Sequence, residues 1–463
     1  MKVHLLPAIA VCIVVTSGFT GTQSLPQPLT EPEIIRLLRA HVPEEQLAKR
    51  LQREKISFVI TPSILHELQQ SGASKELLQI IREAQPRGLV WGPAKQLALS
   101  DHAMVEITPL VAENGKDYFA FTGDDHRVRL ATNSSGAWKV YDVAPSLDVG
   151  NSPAARIIGL AVHAGVAYIP IVAATAKMQI LVACNPSGNP AGPWVQSAVY
   201  TTDSSYLQDP SATISGDSLL IAFDDVGNRK NSNDVFVAKV LLSSLTGSGT
   251  APSVAVTNVT KANDVPGGAS DDHPQIVAIG NTLNLAWQEA LKSLVLARGQ
   301  TTGQGTTWPR QWQTLHTAAD EADKSLQLAA AGDTLLIARF VPNPDRNDSL
   351  GCCDVWATTN SGGAWSTQSI GRTGLALESP GVAVSDCGPS IAYSHAINGN
   401  TGRLMVGTFA DGQWRSQDLG ASNPGNPRLA ATPSGLDLIY VSGWGQITFE
   451  SAVCYPPPAP LEP

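Results

Sequence analysis

From about Asp101 onward, the chain alternates short apolar runs with clusters of Gly, Asn, Asp and Ser. One complete copy of the pattern lies between Glu321 and Gly371. Leu326 to Ala331 is an apolar run, Gly332-Asp333 a two-residue turn, and Thr334 to Phe340 a β-rich run ending in a long polar loop. Asp354 to Thr359 is a third run, turned by Asn360-Ser361-Gly362-Gly363 into a fourth, Trp365 to Ile370. Apolar runs of this length, punctuated by residues that accept tight turns, predict antiparallel strands joined in sequence.

The module recurs. Innermost strands are expected to begin near Met104, Ala154, Ser211, Gln275, Leu326, Gly381 and Arg428. Second strands are expected over Tyr118–Phe121, Val166–Val172, Ser218–Phe223, Leu283–Trp287, Thr334–Phe340, Ser390–Tyr393 and Leu436–Val441. Fourth strands open on Trp138, Trp194, Trp308, Trp365 and Trp414. A period of about 50 residues with four strands per copy predicts β-propeller blades. Each blade buries its faces only against its neighbours, so the array has to close. Six modules are complete, and the seventh, from Asn423 to Cys454, supplies three strands. Leu89 to Leu99 has the Trp and apolar residues of the missing strand, yet it precedes the first blade. Pairing it with the last blade joins the two ends of the ring and removes an open edge. The expected fold is mainly β: a seven-bladed propeller over residues 89–455, with a six-bladed ring as the alternative.

Residues 29–84 have a different period. Thr30-Glu31-Pro32-Glu33 has the form of a capping box, and Ile34, Ile35, Leu37 and Leu38 give the following helix an apolar stripe. Pro43 opens a second helix carrying Leu47 and Leu51, and Thr61-Pro62 a third carrying Ile64, Leu65 and Leu68. Gly72 closes the third, and Ser74 caps a fourth carrying Leu77, Leu78, Ile80 and Ile81. These are expected to form a small four-helix domain suited to docking or spacing, with residues 85–88 as linker. His41 and His66 have no metal-ligand spacing and read as structural or surface residues.

Residues 1–24 read as a secretory signal, with Lys2, an apolar core from Leu5 to Val15, and small residues after it. No later stretch approaches the ~20 apolar residues of a membrane span. The mature protein is therefore expected to be secreted or periplasmic, without a transmembrane segment. Residues 456–463 form a Pro-rich tail expected to be disordered. The formal charge of −9 and the lack of a Lys/Arg cluster argue against nucleic acid as a partner. Beyond the signal lie Cys184, Cys352, Cys353, Cys387 and Cys454, scattered so that no CxxC-type motif forms. Cys387, in the turn after an innermost strand, and Cys454, ending a third strand of the next blade, are the expected long-range pair. That leaves Cys184 unpaired, while Cys352 and Cys353 can close on each other or pair outward.

The segment Thr358-Thr359-Asn360-Ser361-Gly362-Gly363-Ala364-Trp365 resembles the Asp-box, or BNR repeat, of sialidase-like propellers, Ser-x-Asp-x-Gly-x-Thr-Trp. Thr301 to Trp308 keeps the Gly, Thr and Trp; Asn133 to Trp138 and Asp411 to Trp414 are looser copies. The resemblance is degenerate, because the box Asp is Asn133, Gly303 or Asn360 here. In that family the box is a structural turn, and catalysis uses an arginine triad, a Tyr–Glu pair and an acidic acid/base. Arg156, Arg339 and Arg428 fall on inner or second strands, and Tyr393 lies near Glu378, but no flanking motif assigns them these roles. Catalytic residues therefore stay unassigned.

Propeller topology places the loops leading into innermost strands, and those joining second to third strands, on one face around the channel mouth. That face carries the candidate ligand-binding residues Asp209, Asp224, Asp225, Asp272, His273, Glu289, Glu378 and His395. Such a rim can accept hydrogen bonds from glycan hydroxyls, bind Ca²⁺ or meet a basic partner, although Asp is also common in turns for local reasons. No calcium-loop, zinc-pair or nucleophile-elbow motif is present, so no metal ligand or cofactor is assigned beyond Ca²⁺ as a possible cation. Two functions stay open: an exported propeller recognising a glycan, cation or protein ligand at an acidic channel mouth, and a sialidase-like glycoside hydrolase.

Overall fold

The computed structural model describes residues 29–56, 60, 62–84, 88–97, 104–123, 125, 127–143, 159–174, 177–204, 207–225, 233–245, 251–260, 271–290, 292–303, 305–318, 326–342, 353–361, 363–373, 379–398, 401–442 and 446–455. The expected signal segment, the Pro-rich tail, the strand start expected near Ala154, Arg156 and Cys352 lie outside them. The chain divides into two compact units, one over Arg87–Pro456 and the other over Met1–Pro86 with Pro457–Pro463.

The smaller unit contains helices α1 (Glu31–Arg39), α2 (Glu44–Glu54), α3 (Pro62–Gln70) and α4 (Lys75–Ala84). Their apolar stripes converge on Leu29, Ile34, Leu38, Leu47, Leu51, Leu68, Leu77 and Ile81, all buried. The Ser74 hydroxyl accepts from the Leu77 amide at 3.1 Å, capping α4 as its sequence predicts. Glu44, at the start of α2, accepts from both the Ser74 amide at 2.9 Å and its hydroxyl at 2.6 Å, so one carboxylate locks two helix starts together.

The larger unit is a seven-bladed β-propeller made of seven antiparallel sheets. Blade one has an interrupted innermost strand, Met104–Ile107 and Val111–Glu113, followed by Lys116–Gly123, Val128–Thr132 and Lys139–Asp142. Blades two, five and six have innermost strands Ala161–His163, Gln327–Ala331 and Gly381–Ser385. Blade three runs outward through Leu207–Ser215, Ser218–Asp225, Asp234–Leu241 and Val254–Asn258. Blade four follows with Asp271–Ile279, Thr282–Glu289, Ser293–Thr302 and two outer pieces, Gly305–Thr307 and Gln313–Thr317. Blade seven contributes Gly425–Thr432, Gly435–Ser442 and Gln446–Tyr455. Its outer strand comes from the other end of the propeller: Gly88–Trp91 and Lys95–Leu97 pair antiparallel with Gln446–Tyr455, placing Gly88 opposite Tyr455 and Leu97 opposite Ile447.

The tryptophans show why the blades stack. Trp138 packs into the apolar cluster shared by blades one and seven, Trp308 into that of three and four, and Trp365 into that of four and five. Trp91 fills the equivalent place between blades six and seven. Trp138 meets Phe119 of its own blade and Phe449 of blade seven, both with ring centroids 5.5 Å apart. Burying such a ring contributes on the order of 2–3 kcal/mol per blade junction. The turns before Trp138 and Trp365 are clamped by asparagine. Asn133 accepts from the Asp117 amide at 2.7 Å, and Asn360 accepts from the Leu335 amide at 2.6 Å and donates to the Asp333 carbonyl at 2.8 Å.

Cys387, in the turn between the first two strands of blade six, is bonded to Cys454 on the third strand of blade seven. Cys184 is free and buried against the Leu245 carbonyl, and burial pushes its thiol up to about 11. Cys353 is disulfide-bonded.

Candidate functional site

The innermost strands of blades three and four are stitched together by a ladder of hydroxyls. Ser211, Thr213 and Ser215 lie on one face of their strand because strand side chains alternate. The Ser211 and Thr213 hydroxyls accept from the Ile276 and Ala278 amides at 3.2 and 3.3 Å, and Ser215 donates to the Gly280 carbonyl at 3.0 Å. This ladder fixes the two blades at the edge of a central cavity of about 350 Å³, lined by residues in the innermost strands of six blades and by Gly159 and Leu160, directly before that of blade two.

At the start of the ladder each innermost strand bulges. Asp209-Pro210 and His273-Pro274 are the extra residues, opposite Phe223 and Trp287, and Asn426-Pro427 of blade seven repeats the device opposite Tyr440. Asp209, His273 and Asn426 have φ of 46°, 58° and 46°, a left-handed conformation that Asp, Asn and His tolerate better than most residues. The bulges bring the Asp209 carboxylate and His273 Nε2 to 2.9 Å across the blade junction.

Behind this pair lies a buried polar bridge. Asn233 donates through Nδ2 to the Asp272 carboxylate of blade four and, at 3.4 Å, to the Asp224 carboxylate of blade three. Asp225 accepts from the Tyr200 hydroxyl at 2.7 Å, Asp234 from Asn258 Nδ2 at 2.9 Å, and Asp271 from the Trp287 indole at 3.1 Å. Burial pushes the Asp271 carboxyl up to about 7, with the Glu289 charge, directly opposite in the sheet, adding to the effect.

The sequence-predicted residues therefore separate. Asp209, Asp224, Asp272, His273 and Glu289 come together at the junction of blades three and four, whereas Asp225 is held by the Tyr200 hydroxyl of blade two. His395 sits in blade six, where its Nδ1 lies 3.1 Å from the Arg372 carbonyl. Glu378 lies outside the described residues. The expected loop acids differ in one respect: they belong to strands. Pairing resumes beyond each bulge, with Asp272 opposite Gln288 and Leu207 opposite Asp225. Asp224 and Asp225 are 0% exposed and Asp272 4%, whereas the Asp209 side chain keeps 21% of its surface. Asn233 and Asp234 are not singled out by the sequence. Their signal was the facing of acidic strand ends, Asp225 opposite Asp234 and Asp271 opposite Glu289, an unfavourable arrangement unless bridged or neutralised.

The arginines with inner-strand and second-strand positions are occupied elsewhere. Arg339 donates to the Lys292 carbonyl at 3.1 Å and to His316 Nδ1 at 2.6 Å, riveting blade five to blade four. Burial brings its guanidinium down to about 10. Arg428 donates to the carbonyls of Ile107 at 3.2 Å, Ser379 at 2.9 Å and Pro427 at 3.0 Å, tying blades one, six and seven together. Among the described residues, no group of three or more His, Cys, Asp or Glu is arranged to hold a metal ion. No helix of the described residues is long and apolar enough to cross a membrane.

No family model matches the chain, and no curated protein matches it. Among solved structures it is similar to an ulvan lyase of a new polysaccharide lyase family, with 13% identity, TM-score 0.49, and coverage of 76% of this chain and 95% of that one. It is also similar to the phage phi92 endosialidase, with 8% identity, TM-score 0.47, and coverage of 79% and 69%. A third is AofleA from Arthrobotrys oligospora, with 12% identity, TM-score 0.40, and coverage of 69% and 87%. At such low identity and TM-score these likenesses assign neither a residue role nor an activity, and the propeller assignment rests on the chain's own strand pairing.

Proposed function

We propose that this chain is an exported binding protein, secreted or periplasmic, whose propeller takes a hydroxyl-rich glycan at the rim of blades three and four. The observation that carries the reading is the Asp209–His273 pair, held across two blades by bulged strands and backed by the buried Asp224–Asn233–Asp272 bridge. A partly exposed carboxylate on so fixed a support is pre-organised to accept sugar hydroxyls without paying to order a loop. The Cys387–Cys454 disulfide favours an oxidising compartment. Binding is favoured over sialidase-like hydrolysis because Arg339 and Arg428 spend their donors inside the ring, and because Asp224 and Asp272 share one amide with no space between them for a sugar. A protein ligand and Ca²⁺ remain as other occupants of the same rim.

Glycan-array screening of the mature chain, followed by calorimetry with and without Ca²⁺, tests this. Asp209→Asn keeps the left-handed backbone and the shape, so it is expected to weaken glycan binding about tenfold or more with an unchanged melting temperature. Unaltered affinity in this variant would place the ligand elsewhere. Turnover of a chromogenic sialoside or other glycoside would replace binding with hydrolysis, and binding only in the presence of Ca²⁺ would make the cation part of the site.

A further inference from the structure

The seam where the ring closes carries a pair of carboxyl groups, one buried and one half-buried, that glycan recognition does not use. On the second strand of blade one, Asp117 shares a face with Phe119 and Phe121; on the second strand of blade seven, Asp437 shares a face with Ile439. Phe119, Phe121, Ile439 and Ile447 form the apolar core between these blades. The two acids therefore end an otherwise apolar interface, and Asp117 is 4% exposed.

The partners of Asp117 are incomplete in a specific way. Its Oδ2 accepts from Asn133 Nδ2 at 2.7 Å. Its Oδ1 is buried and meets no N–H or hydroxyl donor. The Asp437 carboxyl is the neighbour of the Asp117 carboxyl across the seam, and two carboxyl groups hydrogen-bond to each other only with a proton between them. We propose that a proton shared by Asp117 and Asp437 is a working part of the ring closure, so that the seam between blades one and seven is tight in acid and loosened by alkali.

The surroundings leave that proton uncontested. Glu113, on the strand paired with Asp117, is turned to blade two, where it accepts from the Ala164 and Gly165 amides at 2.9 and 2.8 Å. Lys116, the adjoining residue, and Lys139, on the outer strand, are exposed. Glu450, on the third strand of blade seven, accepts from the Tyr440 hydroxyl at 2.9 Å. Tyr118 is adjacent in the chain and is itself pushed up by burial. Burial first, and the Asp437 charge second, push the Asp117 carboxyl up to about 7, from an ordinary value of 3.8. Because the folded value is raised, the Asp117 carboxyl's contribution to stability is complete below the ordinary value and is lost as pH rises through about 7.

The test compares the full chain at pH 5 and pH 8.5 by thermal unfolding and by hydrogen exchange of residues 88–97 and 446–455, corrected for the intrinsic effect of pH. In the wild type, the melting temperature is expected to fall across this range and seam exchange to accelerate at least about tenfold, the equivalent of one pKa unit. Asp437→Asn, whose amide N–H supplies the missing donor without a proton, should abolish the acceleration and melt higher than wild type at pH 8.5. Asp117→Asn should do the same, and combining them should add nothing. Should Asp117→Asn not fold, because Asn133 also leans on that side chain, the half-buried Asp437 position carries the comparison alone. Single variants that keep the wild-type pH slope, or that lower the melting temperature equally at both pH values, would overturn the proposal.

Discussion

Asn233 carries more of the structure than its place in a polar segment suggests. One amide group serves two carboxylates in neighbouring blades, so removing it leaves two buried acceptors short of a donor. Asn233→Ala is expected to cost about 2–4 kcal/mol in denaturant unfolding, whereas a comparable change at exposed Asp411 should cost less than about 0.5 kcal/mol. Asp271 adds a pH dependence of its own. Its folded value is raised to about 7 by burial, so the protein binds this proton more tightly when folded. That contribution is present below the ordinary carboxyl range and disappears as pH rises through about 7, and the difference between wild type and Asp271→Asn at pH 5 and 8 measures it. The acids of this region were legible in the sequence, but their burial was not. Asp209-Pro210 and His273-Pro274 read as loop because proline normally ends a strand. Here the missing N–H falls within a bulge, where no ladder bond is lost, and pairing resumes on the far side.

At the scale of elements, the repeat was readable because most blades repeat one chemistry: an apolar second strand between two neighbours, a tight turn, and a tryptophan at the outer strand. The second strands occupy the expected places, extended by one to several residues where pairing continues past the apolar run, as in Ser390–Tyr393 within Gly388–Asn398. Trp91 identified a strand that belongs to blade seven although it precedes blade one, and Gly88–Trp91 pairs there. The expected Cys387–Cys454 pair formed for the same reason: adjacent blades bring a turn and a third-strand end to one side of the ring. Deleting residues 88–97 should strip blade seven of its outer strand and expose the third strand, giving aggregation or loss of the cooperative melting transition. Deleting residues 29–84 should leave the propeller's melting transition in place, since each unit has its own core. Circular dichroism melting and size-exclusion chromatography of the two deletions distinguish them.

For the whole molecule, architecture was far more legible than activity. A ring of repeats is written many times over in its sequence, so loss of the aromatic in blade three, whose outer strand is Val254–Asn258, does not obscure it. A ligand site is written once, from residues whose partners lie in another blade, such as Asp209 and His273, 64 positions apart by their numbering. The pairing of Gly88 with Tyr455 also governs assembly in time. The first strand of the propeller has no partner until the last has been made, so every other blade must wait as an open arc with a sticky edge. Two such arcs meeting at high concentration can each lend the other its first strand, forming a domain-swapped dimer with the same hydrogen bonds as the monomer. The strand that seals the ring is thereby also the one that makes dilution favour a single closed chain.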